Sequence, residues 1–189
     1  MTMKYLIASD IHGSAFWCRR LMEKFHESGA EKMILLGDLL YHGPRNELPA
    51  EYDTKAVTRM LNAERKNILA VRGNCDSEVD QMVLTFPMLA DYAWLHLGEK
   101  NFFATHGHLY NDEEPGRMPL LNDGEILLHG HIHLPVAEKK TMEGGSYTLL
   151  NPGSVSLPKG GYAPSYAILE DGIFTILDFD GNKIKELAL

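Results

Sequence analysis

Cysteine is scarce in this chain: Cys18 and Cys75 are the only two among 189 residues. Two cysteines do not make the disulfide framework of a small secreted domain, and a reducing cytoplasm is the expected setting. Long apolar runs are missing too. No stretch approaches the ~20 consecutive apolar residues of a membrane-spanning helix. Near the N-terminus, Asp10 cuts short the apolar Tyr5-Leu6-Ile7-Ala8, which leaves too little for a signal-peptide core. Cations are in deficit, 18 Lys and Arg against 26 Asp and Glu, and the formal net charge is −8. Such a surface disfavours nonspecific attraction to long nucleic acids and anionic membranes. No internal repeat, low-complexity tract or linker interrupts the chain. One domain over residues 1–189 is therefore expected, with 44% hydrophobic residues to build its core.

What is present is an alternation of apolar runs and helical patterns. Lys4–Ser9, Met33–Leu36 and Ile68–Val71 read as buried strands. Between the first two, Ser14 is placed to cap a helix whose Cys18, Leu21, Met22 and Phe25 recur at helical spacing, with Gly29 as its stop. Thr54 is expected to cap a second helix bearing Val57, Met60 and Leu61, and Ser77–Val83 a short third. Beyond that the pattern turns to β. Tyr92–Leu97 with Phe102–Thr105, and Val136–Lys140 with Tyr147–Leu150, predict two hairpins. Ile126–Leu128 reads as a buried strand, and Tyr166–Leu169, Ile173–Phe179 and Ile184–Leu187 as three more. The fold class is α/β, two sheets face to face with helices outside, a four-layer α/β/β/α sandwich.

Five polar clusters each follow one of these apolar runs. They are Asp10-Ile-His12, Gly37-Asp38, Gly73-Asn74-Cys75-Asp76, Thr105-His106-Gly107-His108 and Gly130-His131-Ile132-His133. Alone, each has a bland reading: Gly-Asp as a turn, Asp-x-His as a loop, a lone histidine as a satisfied core residue. Together they gather carboxylates, an amide and several imidazoles at strand ends, where α/β sheets converge their chemistry. They are too many for one four-coordinate ion and suit two that share a carboxylate, with Asp38 placed to bridge. Imidazole and carboxylate suit Mn2+, Zn2+, Fe2+, Co2+ or Ni2+, and an amide oxygen leans toward Mn or Fe. Two such ions would take the charge from −8 to −4 and concentrate positive potential in the cleft.

The five clusters, in this order, resemble the motifs of the calcineurin-like metallophosphoesterase superfamily. Within it, His42-Gly43-Pro44-Arg45-Asn46, Arg72–Met82 and Asn151–Gly161 are similar to the small bacterial YfcE-type phosphodiesterases. The resemblance implies the metallo-dependent phosphatase fold and two divalent metal ions, Mn2+ foremost. Asp10, His12 and His133 would hold one ion, Asn74, His106 and His131 the other, and Asp38 would bridge. The implied reaction is attack of a two-metal-bound hydroxide on a small-molecule phosphodiester. A phosphomonoesterase, or a noncatalytic protein-binding module on the same fold, is the alternative. The catalytic candidates are Asp38, Asn74, Cys75 and His108. Cys75 departs from many relatives, which carry a histidine there to protonate the leaving oxygen; a thiol with a reference pKa of about 8.5 is a poorer acid. His108 is the stand-in donor. Arg45 and Arg72 are open between substrate oxygens and structural acids, Asp76 is expected to orient its loop, and Asn151–Ser154 to form a rigid turn without chemistry. Loops 41–53 and 109–122 are expected to shape the pocket, and self-association as a homo-oligomer stays open.

Overall fold

The computed structural model describes residues 3–189; Met1 and Thr2 of the N-terminal reading lie outside the described residues. Three parallel strands, β1 (Tyr5–Ala8), β2 (Lys32–Leu35) and β3 (Ile68–Ala70), alternate with two helices, α1 (Ala15–Ser28) and α2 (Thr54–Ala63). A short helix α3 (Glu78–Val83) precedes the hairpin β4 (Tyr92–Leu97) and β5 (Lys100–Thr105). Then come β6 (Ile126–Leu128), the hairpin β7 (Pro135–Met142) and β8 (Gly145–Pro152), and the meander β9 (Ser165–Glu170), β10 (Ile173–Asp178) and β11 (Lys183–Ala188). They assemble into two mixed sheets, one of six strands ordered β11-β10-β9-β1-β2-β3 and one of five ordered β4-β5-β6-β8-β7.

Strand alternation builds the layers. On β1, Leu6 and Ala8 pack with Cys18, Leu21, Met22 and Phe25 of α1 and Val57 and Leu61 of α2. Ile7 points the other way, into a core with Phe102, Ile126, Leu128, Leu150 and Phe174 between the sheets. On the far face of the five-stranded sheet, Phe103, Leu127, Tyr147 and Leu149 are covered by Tyr110, Met118 and Leu121 of the irregular 109–122 segment. Truncating a fully buried leucine such as Leu6 or Leu128 to alanine would cost about 2–5 kcal/mol. Among the described residues no helix is long and apolar enough to cross a membrane.

The first helix follows its sequence signals: Ser14 is extended and its side chain accepts from Trp17 N, while Gly29 closes the helix at φ 70°. Two local expectations are corrected. The cap of α2 is Asp53, whose carboxylate accepts from Ala56 N at 2.9 Å; Thr54 is already helical. An isolated bridge between Ser14 and Tyr52 holds the preceding chain extended, so Asp53 is the residue at the corner. The Asn151–Ser154 turn is narrower than expected, because β8 runs on through Pro152, paired with Pro135 of β7, and only Gly153 turns, at φ 83°.

Candidate metal centre

The carboxyl ends of β1, β2 and β3 deliver Asp10, His12, Asp38 and Asn74; those of β5 and β6 deliver His106, His131 and His133. The two sheets meet at these ends, so donors far apart in sequence interlock. His133 Nε2 lies 3.1 Å and His12 Nε2 3.5 Å from Asp10 Oδ1, and the two imidazole nitrogens are 3.3 Å apart. His12 Nε2 is also 3.7 Å from Asp38 Oδ2. On the other side of that oxygen, His106 Nε2 lies at 3.5 Å, with Asn74 Oδ1 3.1 Å and His131 Nδ1 3.2 Å from the same imidazole nitrogen. Ligand atoms around one ion at about 2.0–2.1 Å are about 3.0–3.4 Å apart, close to the spacing seen here. Asp10 Oδ1 is fully buried and faces only the Nε2 atoms of His12 and His133, themselves potential ligands, which suits a lone pair shared with a cation.

The remaining nitrogens of three histidines are committed elsewhere. Nδ1 of His12 donates to the Tyr41 carbonyl at 2.9 Å, Nδ1 of His106 to Leu36 at 2.6 Å, and Nδ1 of His133 to Leu157 at 2.5 Å. Each bond turns the ring so that Nε2 faces the cluster, where its lone pair is available once the ring is neutral. The backbone is strained to match. Among the described residues seven non-glycine residues have positive φ, and five of them are Asp10, His12, Asp38, His131 and His133. Such strain at one place marks a site that the surrounding structure over-determines.

That surrounding structure is visible. The Asp76 carboxylate accepts from Asp38 N, Leu39 N and Gly73 N, each at 2.8 Å, so it orients the Asp38 and Asn74 loops together, as expected for it. Burial raises its pKa to about 6, against the opposing pull of these amides. Gly73 is required by closeness: a Cβ there would sit 2.1 Å from Asp38 Oδ1. The end of β8 and the segment after it, which sequence reasoning left without chemistry, touch two of the loops, those of Asp10 and of Gly130–His133. Asn151 Nδ2 donates to Gly130 O at 2.8 Å, the Oγ atoms of Ser154 and Ser156 both donate to Asp10 O at 3.1 Å, and Leu157 supplies the carbonyl for His133. The signal available for these residues was three small polar side chains, Asn151, Ser154 and Ser156, just beyond the apolar Leu149-Leu150.

The charges are coupled. Burial pushes the Asp10 carboxyl up, but the close His12 and His133 imidazoles, with His106 nearby, hold it well below its usual range. Burial likewise works against a charged His106, yet the Asp38 hydrogen bond and the Asp10 and Asp38 charges outweigh it and lift the pKa to about 9. Burial and that neighbouring charge press His131 and His108 down to about 4. Burial, then Asp38, raises the Cys75 thiol, so it stays protonated at neutral pH. His108, neutral there, holds no proton to give from a charged ring, and its Nδ1 is buried without a partner. Of the two arginines, Arg72 pairs with Asp91 at 2.5 Å, whereas Arg45 lines a cavity of about 570 Å3 together with Asp38, Asn74, Cys75, His131 and His133.

Residues 3–171 match the family description of the calcineurin-like phosphoesterase superfamily domain. The chain belongs to that superfamily. It is 45% identical over 182 residues to the phosphodiesterase YfcE of Escherichia coli K12, covering 96% of this chain and 95% of that protein. A solved structure of the E. coli phosphoesterase Yfce superposes with a TM-score of 0.92 over 98% of this chain and 99% of that one, at 45% identity. Vacuolar protein sorting 29 from Cryptosporidium parvum, 17% identical, shares the fold with a TM-score of 0.61 over 100% of this chain and 99% of its own.

Proposed function

We infer that this chain is a metal-dependent phosphodiesterase, acting through one domain of 189 residues on a small-molecule diester in the cytoplasm. Asp10, His12 and His133 would hold one divalent cation, Asn74, His106 and His131 a second, and Asp38 would serve both. The observation that carries the reading is the interlocked donor set around Asp10 Oδ1 and Asp38 Oδ2, with three imidazoles held so that Nε2 faces the cluster. Oxygen and imidazole donors, with a protonated thiol beside them, favour Mn2+, with Zn2+, Fe2+, Co2+ and Ni2+ compatible. Bound divalent cations supply a water acidic enough to act near neutral pH and neutralise phosphoryl charge.

The chain's own residues do the rest. Nδ1–H bonds to three backbone carbonyls keep His12, His106 and His133 from rotating away from the diester. Asn74 presents its carbonyl oxygen to the cluster while its amide donates to Cys75 Sγ at 3.2 Å, which fixes the thiol beside Asp38. Cys75 and the 43–46 turn wall the cavity where the leaving alcohol departs. Overall, water and a diester give an alcohol and a monoester. All seven donors come from one chain, so the site needs no second copy.

The test is the initial rate on bis-p-nitrophenyl phosphate with Mn2+, beside metal-free protein and Asp38→Ala, with p-nitrophenyl phosphate as the monoester control. Turnover is expected to require metal and to favour the diester. Asp38→Ala should lose at least about 10²-fold, since it removes charge stabilisation from both cation sites at once. A folded, metal-loaded parent that turned over neither ester would overturn the reading in favour of a binding module.

A further inference from the structure

Two segments singled out in the sequence are not absorbed by the metal cluster: the His42–Asn46 turn and the run leading to Gly161. Each brings one cation to the same cavity. Arg45 stands on a braced turn, with Asn46 Nδ2 donating to His42 O at 2.7 Å and Gly43, at φ 81°, packed so that a Cβ would lie 3.1 Å from Cys75 Sγ. Lys159 is fixed through its backbone, its N–H donating to the His133 carbonyl at 3.1 Å and its own carbonyl accepting from Tyr162 N at 3.2 Å. Among the described residues neither side chain has an ion pair or hydrogen bond, whereas Arg72, Arg117 and Lys140 are matched to Asp91, Glu114 and Asp112. Both line the cavity beside the metal cluster.

The scissile phosphoryl belongs at the cluster, which needs neither cation. A cavity of about 570 Å3 is in the range that holds a whole drug-sized ligand, so an arm of the substrate extends past the phosphorus. The acidic residues in the lining leave the cations unmatched: Glu114 is paired with Arg117 at 3.0 Å, and Glu113 makes no ion pair with Arg45 or Lys159. A planar guanidinium and an ammonium lining one cavity suit a carboxylate or phosphate group. We propose that Arg45 and Lys159 form a subsite for a second anionic group, carboxylate or phosphate, carried on one arm of the diester, and so set substrate preference. The subsite rests on the phosphodiesterase reading above.

Four p-nitrophenyl substrates test it on the Mn2+-loaded full chain: bis-p-nitrophenyl phosphate, and three diesters whose second arm ends in a carboxylate, a phosphate or an isosteric carboxamide. The parent is expected to prefer at least one anionic arm over the carboxamide by about tenfold or more in kcat/KM, mainly through KM. Which anion is preferred identifies the source, and either supports the subsite. In Arg45→Gln/Lys159→Gln, which replaces exposed side chains, the ratio should fall to near one, and in Arg45→Glu below one. A flat ratio in a parent that turns over bis-p-nitrophenyl phosphate would overturn the subsite alone, as would a ratio unchanged in the double variant. Four inert substrates would remove the phosphodiesterase reading and the subsite with it.

Discussion

Ser154→Ala and Ser156→Ala should differ in cost although both serines donate to the same carbonyl. Ser154 is fully buried, and its Oγ makes three bonds: it donates to Asp10 O at 3.1 Å and accepts from Ser156 N at 3.3 Å and Leu157 N at 3.0 Å. Alanine there strips two amides of their acceptor, that of Ser156 buried and that of Leu157 part-buried. At about 1–3 kcal/mol for each orphaned buried group, with the 3.3 Å bond at the low end, the loss is about 2–4 kcal/mol. Ser156 Oγ makes one bond, and Asp10 O keeps Ser154 when it goes, so about 0.5–1.5 kcal/mol is expected. In the double variant the Asp10 carbonyl loses both donors, and the cost should exceed the sum by about 1 kcal/mol. Asp10 is held at φ 61°, a conformation that costs about 1–2 kcal/mol, and a loosened Asp10 must be returned to it by the metal. Mn2+ affinity should therefore fall about tenfold in the double variant. Urea unfolding of the metal-free proteins and calorimetric Mn2+ titration measure both. Equal costs for the two single variants, or strict additivity, would refute the idea that the two serines jointly hold Asp10.

Three further outcomes are expected. Cys75→His should raise the rate on unactivated alkyl diesters relative to bis-p-nitrophenyl phosphate by about tenfold or more, because imidazolium is the better proton donor; an unchanged ratio in steady-state assays would assign the thiol no part. In metal-free protein the His106 pKa is raised to about 9 from 6.5, so its stabilising contribution is complete below pH 6.5 and lost as pH rises through about 9. Mn2+ must displace that proton, so its affinity should rise about tenfold per pH unit between pH 7 and 9 and then level, as read by titration in several buffers. Gly73→Ala should give a protein that binds Mn2+ at least tenfold more weakly and melts several degrees lower in thermal unfolding, since the new methyl group meets the Asp38 carboxylate.

The elements that were legible in the sequence were those whose signal is local. Ser14, the Cys18–Phe25 stripe and Gly29 delimit α1 because cap, apolar face and stop lie within one stretch. The candidate ligands were legible because a polar cluster directly after a buried strand has few structural reasons to be there. Asp53 displaced Thr54 as a cap because both residue types cap well, and the choice depends on a bridge to Ser14 across 38 positions of chain. Ser154 and Ser156 were illegible for the same reason on a larger scale: their partner, Asp10, precedes them by 144 and 146 residues. The left-handed backbone at His12 and His131 was not legible either, since histidine enters that region more often than most residues yet only in a small minority of cases.

Each set of donors crosses the seam between the sheets. Asp10 and His12 follow β1 of the six-stranded sheet, while their neighbour His133 follows β6 of the five-stranded one. Asp38 and Asn74 are likewise matched by His106. A shift of one sheet along the other by an ångström would therefore spoil both sets together. Two features resist such a shift. Ile7, Phe102 and Phe174 interdigitate between the sheets at zero exposure, and close-packed interiors deform little. The 151–157 segment leaves β8 of one sheet and bonds Asp10 beside β1 of the other, so it spans the seam at the cluster itself. Precision at the centre follows from how the two sheets are tied, and the strained loops need no stiffness of their own.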